Sequence, residues 1–169
     1  MRAKTLKFGS KILISDPCYT LDDAMFNAIV SDMQEGEYSV KTTTRDGRVR
    51  TITITHTKES DFNWERLTSV GVDSGQCGFF DLKTYRNDSV DIPFADEEGK
   101  DFYESYRKTD AGDEWYGKIC GYTLQPKGWE ALDGIGLVSS SGYGDGYYDV
   151  LIAKDNYLGK GVGLSIKFF

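Results

Sequence analysis

The chain has 169 residues, 27 acidic and 20 basic, for a formal charge of −7. Length alone predicts one domain that buries roughly 70% of the surface exposed by its unfolded chain, so neither a metal nor a disulfide is needed to hold it together. Hydrophobic residues at 39% exclude a disordered chain, and no apolar run approaches the ~18 residues of a membrane span.

The start, MRAKTLKFGSKILISDPCY, has no continuous apolar leader, and the odd number of cysteines, 3, agrees with a reducing compartment. A cytoplasmic protein, in the host cell if phage-encoded, is therefore expected. Nearly all the net charge falls in residues 91–114, which hold nine acids and three bases. No window supplies the basic stripe that nucleic-acid binding requires, so that class of partner is set aside. The acidic segment reads as a solvated insertion, with a basic protein partner as its functional counterpart.

In chain order, the alternation at 11–15 predicts a strand that Asp16-Pro17 ends. Thr20 stands as an N-cap before Leu21, Met25, Ala28, Ile29 and Met33 at helical spacing, which predicts a helix over about 21–34 closed by Gly36. The β-branched stretch around Asp46-Gly47 predicts a hairpin. A three-residue loop, Arg45 to Gly47, would pair Val40 with Ile52 and Tyr38 with Ile54, leaving His56 on the same buried face. Next come strand, turn and strand around Asp73-Ser74-Gly75. Residues 82–130 read as an irregular, acidic insertion within the single domain 1–169, with a short helix over 100–108. Strands are expected at 135–140 and 147–154, and the last, 162–168, should bury Val162, Leu164, Ile166 and Phe168. The fold class is α+β, β-rich, with a mainly antiparallel sheet (sandwich or partly open barrel) and one or two helices.

Three segments gather acids, small residues and aromatics at strand ends: 16–19, 73–81 and 139–148. Consecutive Ser and Gly expose backbone N–H groups that can cradle an anion or admit a planar ligand, and neighbouring tyrosines offer ring faces. The candidate ligand-binding residues are Asp16, Tyr19, Asp73, Ser74, Gln76, Ser140, Tyr143, Asp145 and Tyr148, expected to share one neighbourhood. Glycine-rich turns with tyrosines covering a core edge are the plainer reading of the same pattern.

No catalytic residue is assigned. Gly142 to Gly146 precede a strand rather than the helix of a dinucleotide fingerprint, and no P-loop occurs, so no cofactor is expected. The chain offers a single histidine, His56, to activate a cysteine. Cys18, Cys77 and Cys120 lack zinc spacing, and 96–99 fails the calcium-loop pattern. Asp16, Asp73 and Asp145 are the residues by which a carboxylate hydrolase, the alternative function, would work, although aspartates beside turns commonly cap them.

The ordered motifs SDPCY, VDSGQCGFFD and SSSGYGDGYY resemble a family of uncharacterised bacteriophage and bacterial proteins, known only as a domain of unknown function. The resemblance implies a phage or bacterial origin and supports the three segments as a common feature, but it carries over no catalytic residue. The expected function is binding of a small polar or nucleotide-like molecule without catalysis, as a phage accessory protein that sequesters a host signal or inhibits a host factor. No membrane partner is expected.

Overall fold

A computed structural model describes residues 4–169; the first three residues of the stretch read for a leader lie outside it. Eleven strands form two antiparallel sheets that pack face to face without closing into a barrel. The six-stranded sheet runs β1 (Thr5–Phe8), β4 (Gly36–Arg45), β5 (Arg48–His56), β11 (Gly161–Lys167), β10 (Gly146–Asp155), β6 (Phe62–Val72). The five-stranded sheet runs β3 (Asn27–Val30), β2 (Ile12–Ser15), β7 (Gln76–Asp81), β9 (Gly136–Ser140), β8 (Trp129–Leu132). Two helices, α1 (Glu97–Tyr106) and α2 (Glu114–Thr123), complete a β-rich α+β sandwich.

The main core lies between the sheets, where Tyr38, Ile52, Ile54, Leu164 and Ile166 meet Ile12, Ile14, Phe79 and Leu137. A second core on the other face of the five-stranded sheet packs Leu13, Phe80 and Val138 against Tyr85, Trp115, Ile119 and Tyr122. The five-stranded sheet is thus covered on both sides, which is why β2 reads Ile-Leu-Ile and all four of its residues are buried. Val162, Leu164, Ile166 and Phe168 are buried as the alternation predicts. His56 is buried too: its Nδ1 accepts the Lys58 N–H, so Nε2 carries the proton and donates to the Glu35 carbonyl at 3.0 Å.

Three expectations are corrected. No helix spans 21–34; residues 20–26 form consecutive turns and 27–30 form β3. Asn27 ties the turns by donating its amide to the Thr20 and Asp23 carbonyls at 2.8 Å each, and β3 pairs with β2 from Asn27 to Val30. Of the supposed apolar stripe, Leu21, Met25 and Ile29 are about half exposed and Ala28 is partly buried, while Met33 is buried beyond the end of β3.

The hairpin has a two-residue loop, Asp46-Gly47, with Val40 opposite Ile54 and Tyr38 opposite His56. A bulge at Arg50, after Thr44↔Val49 and before Thr43↔Thr51, restores the apolar pairing that an unbroken two-residue hairpin would have lost.

Residues 82–130 are also more ordered than their acidity suggests. Asp96 and Asp113 are N-caps, accepting the Gly99 and Tyr116 N–H groups at 2.7 and 3.0 Å, and Glu97, Glu98 and Glu114 occupy first turns. Much of the acidic charge therefore sits where the helix dipole favours it.

Candidate functional site

β2 ends at Ser15, and the chain enters the loop Asp16–Tyr19. The chain crosses from one sheet to the other at Asp73–Gly75, between β6 and β7, and crosses back at Ser141–Asp145, between β9 and β10. Both crossings and the 16–19 loop occupy the same end of the sandwich because hydrogen bonds join them directly. Asp16 is fully buried, and its carboxylate accepts four bonds. Oδ1 takes the Cys18 N–H at 2.9 Å and the Ser74 hydroxyl at 2.5 Å; Oδ2 takes the Asp73 and Ser74 N–H groups at 2.8 Å each. The Asp145 carboxylate accepts the Gly75 N–H at 2.9 Å, and the Ser141 N–H donates to the Gly75 carbonyl at 2.9 Å. Gln76 faces Ser140 across β7 and β9.

The tyrosines divide. Tyr19 stacks on Phe26, ring centroids 3.9 Å apart, and donates its hydroxyl to Asp73, a bond that raises the phenol above its ordinary value. Tyr148 donates to the Gly144 carbonyl at 2.5 Å and packs edge-on against Phe168. Tyr143 lies on the outer surface, 67% exposed, between the Arg48 guanidinium and Phe169. Tyr148 braces the loop, Tyr143 lies apart at the surface, and of the nine candidates only Ser74, Gln76 and Ser140 line a common cavity.

That cavity, about 310 Å³, opens where the crossings meet the helices. Ser74, Gly75, Gln76 and Ser140 form one wall, and Phe102 with Tyr116, Cys120, Thr123 and Leu124 forms the other. Gln76, buried at its floor, donates to the Tyr116 hydroxyl at 3.3 Å and Cys120 Sγ at 3.4 Å, and its Oε1 accepts from Thr123 at 2.8 Å. An added Cβ on Gly75 would meet nothing within 4 Å, so the backbone there borders open space. None of the nine lining residues is charged.

Sequence reasoning missed the helical wall and the clamp behind the 16–19 loop. Arg86 donates to the Pro17, Cys18 and Tyr19 carbonyls at 2.7, 2.6 and 3.1 Å and pairs with Asp113, while Tyr85 donates to the Tyr19 carbonyl at 2.6 Å. Burial pushes the Cys18, Cys77 and Cys120 thiols up, away from the thiolate that a nucleophile needs. Among the described residues no group of three or more His, Cys, Asp or Glu side chains is placed to hold a metal ion.

No family model matches the chain, and neither a curated protein nor a solved structure does.

Proposed function

We propose that the protein binds a small polar, nucleotide-like molecule, without catalysis, in the cavity between the sheet crossings and α2. The observation that carries this reading is the meeting of the first sheet crossing, the end of β9 and α2, distant in sequence, at a concave wall without charge, with the 16–19 loop bracing the crossing from behind through Asp16. Ser74, Thr123 and Ser140 line the cavity with hydroxyl groups, Gln76 is held among them by its bonds to Tyr116, Cys120 and Thr123, and Phe102, Tyr116 and Leu124 offer apolar area. A few convergent polar groups on an apolar lining are the usual make-up of a ligand site, and 310 Å³ lies near the lower end of the common range. With no cation in the lining, the part of the ligand that enters is a neutral heterocycle such as a nucleobase, and any phosphate stays in solvent. A hydrolase built on Asp16, Asp73 and Asp145 is disfavoured because Asp16 is buried and all four of its bonds go to the loops. Given the resemblance to phage proteins, the biological role we propose is sequestration of a host signal.

The test is a thermal-shift series with nucleobases, nucleosides, nucleotides and cyclic nucleotides. A ligand at 100 times its Kd adds about 2.7 kcal/mol, several degrees in Tm for a domain of this size. Leu124, 62% exposed at the cavity rim, is the position for a blocking variant. Leu124→Trp should abolish the shift while leaving the unliganded Tm unchanged. Absence of any shift across the series, or an equal shift in Leu124→Trp, would refute the assignment.

A further inference from the structure

The six-stranded sheet outruns the five-stranded one. Its edge strand β6 has 11 residues, whereas β3, the facing edge of the other sheet, has 4. Beyond β3 a cavity of about 550 Å³ opens between the two edges and reaches down to the buried Ile152. None of the three loops discussed above lines it.

Both ends of this gap are tied. At one, the Gly71 N–H donates to the Met25 carbonyl at 3.0 Å; at the other, the Gly161 N–H donates to the Asp32 carbonyl at 3.1 Å and its carbonyl accepts the Gln34 N–H at 2.8 Å. Between these ties the edges part. The Asp16 N–H donates to the Phe26 carbonyl, and antiparallel bonding alternates along β2–β3, so the backbone groups of Asn27 and Ile29 point away from β2 into the gap. Among the described residues those groups have no partner.

Edge strands are ordinarily guarded by charge, proline or a covering segment. β3 carries none of these: its outward side chain Ile29 is 50% exposed, and Leu67 across the gap is 37% exposed. The floor is apolar, from Val30 and Ile152. The surroundings on the β3 side are acidic: Asp22, Asp23, Asp32, Glu35 and Glu37 are exposed, Asp32 lines the gap itself, and residues 12–40 hold no Lys or Arg. The one cation in the lining, Lys154, is paired with Glu65 at 2.9 Å.

We infer that this gap is a docking slot for an extended, basic peptide segment of a partner protein, which adds to β3 as a strand. Its backbone bonds to Asn27 and Ile29, alternate apolar side chains sit over Ile152 and Leu67, and the intervening Lys or Arg side chains face the acidic rim. Main-chain bonds supply affinity and the alternate pockets supply specificity, as in strand addition generally. A net charge of −7 speeds encounter with such a partner and makes it salt-sensitive.

The experiment uses the full chain, isotope-labelled for amide exchange, and an acetylated hexapeptide alternating lysine and valine. Saturable binding is expected, weakened several-fold by raised salt, with at least tenfold slower exchange at the Asn27 or Ile29 amide. Methylating alternate amides of the peptide, replacing its lysines by glutamates, or placing Leu67→Arg or Ile29→Lys in the protein should each reduce affinity at least tenfold. Both positions are exposed, so an unchanged melting temperature shows that these variants fold. No binding at about 1 mM, equal binding of the methylated peptide, or protection at β1 or β8 instead would overturn the inference. Protection of Ile29 that grows with protein concentration without peptide would also overturn it, because the occupant would then be a second copy of the chain. Displacement of the peptide by a neutral alkyl amphiphile but not by salt would assign the cavity to a small apolar ligand and overturn it likewise.

Discussion

Asp16 grips Ser74 at two points, its Oδ1 2.5 Å from the hydroxyl and its Oδ2 2.8 Å from the backbone N–H. Through this pair the end of β2 is locked to the first sheet crossing, and through Gly75 and Asp145 the first crossing is locked to the second. The carboxylate is the framework of the candidate site rather than its reagent.

Replacing Asp16 by Ala removes the acceptor of four bonds at a fully buried position, leaving backbone donors without partners. Bonds to a charged group and orphaned buried donors are both costly, so a loss of about 3 kcal/mol or more is expected by urea unfolding, against about 1 kcal/mol for Ser74→Ala. Equal effects of the two variants would contradict the role assigned to the carboxylate.

Leu164 is fully buried in the inter-sheet core, opposite Ile54 on one side and Ile152 on the other. Leu164→Ala should cost about 2–5 kcal/mol, the range for cavity-forming changes. Denaturant midpoints that differ by a surface-like amount, below about 0.5 kcal/mol, would reject this packing.

Two glycines with positive φ should respond very differently to alanine. Gly75 has φ +69° and open space around it, so Gly75→Ala bears only the backbone strain, about 1–2 kcal/mol. Gly136 has φ +145°, and a Cβ there would lie 2.1 Å from the Phe79 carbonyl oxygen of the paired strand. Gly136→Ala should yield no folded protein, read as insoluble expression or loss of the near-ultraviolet dichroism that Gly75→Ala retains.

Burial, with the Asp16 carboxylate adding to it, pushes the Cys18 thiol up against the opposing pull of Arg86, and burial alone does most of this for Cys77. In the native protein, iodoacetamide should modify partly exposed Cys18 first, slowly at neutral pH and faster as pH rises beyond the ordinary thiol value of 9.0. Cys77, fully buried, should react only on unfolding. Because the folded-state thiols are raised, their contribution to stability is complete below that ordinary value and is lost as pH climbs above it. Mass-spectrometric mapping that finds Cys77 labelled ahead of Cys18 would contradict this order.

Local pattern by itself determined the β-rich class, the half-buried last strand and the strand ends that carry acids, serines and glycines. Strict alternation from Val162 to Phe168 leaves only one face to bury, and Asp-Pro or Ser-Gly clusters stop strands by steric rules that need no distant partner. Tertiary structure decided the rest. The segment 21–34 has apolar residues at helical spacing, yet pairing with β2 outweighed that weak preference and left Leu21 and Met25 at the surface. α2 was illegible because Gly117 and Gly121 lie inside it. Glycine disfavours a helix locally, but here it lets Gly121 approach Gly99 of α1 so closely that an added Cβ would meet that Cα at 3.1 Å. The hairpin register turned on one bulged residue, Arg50, which no pattern of polarity announces. Convergence of the three loops likewise depended on where the chain changes sheets, which places Asp16 beside Ser74 and Asp145 beside Gly75, partners 58 and 70 positions apart that no local pattern joins.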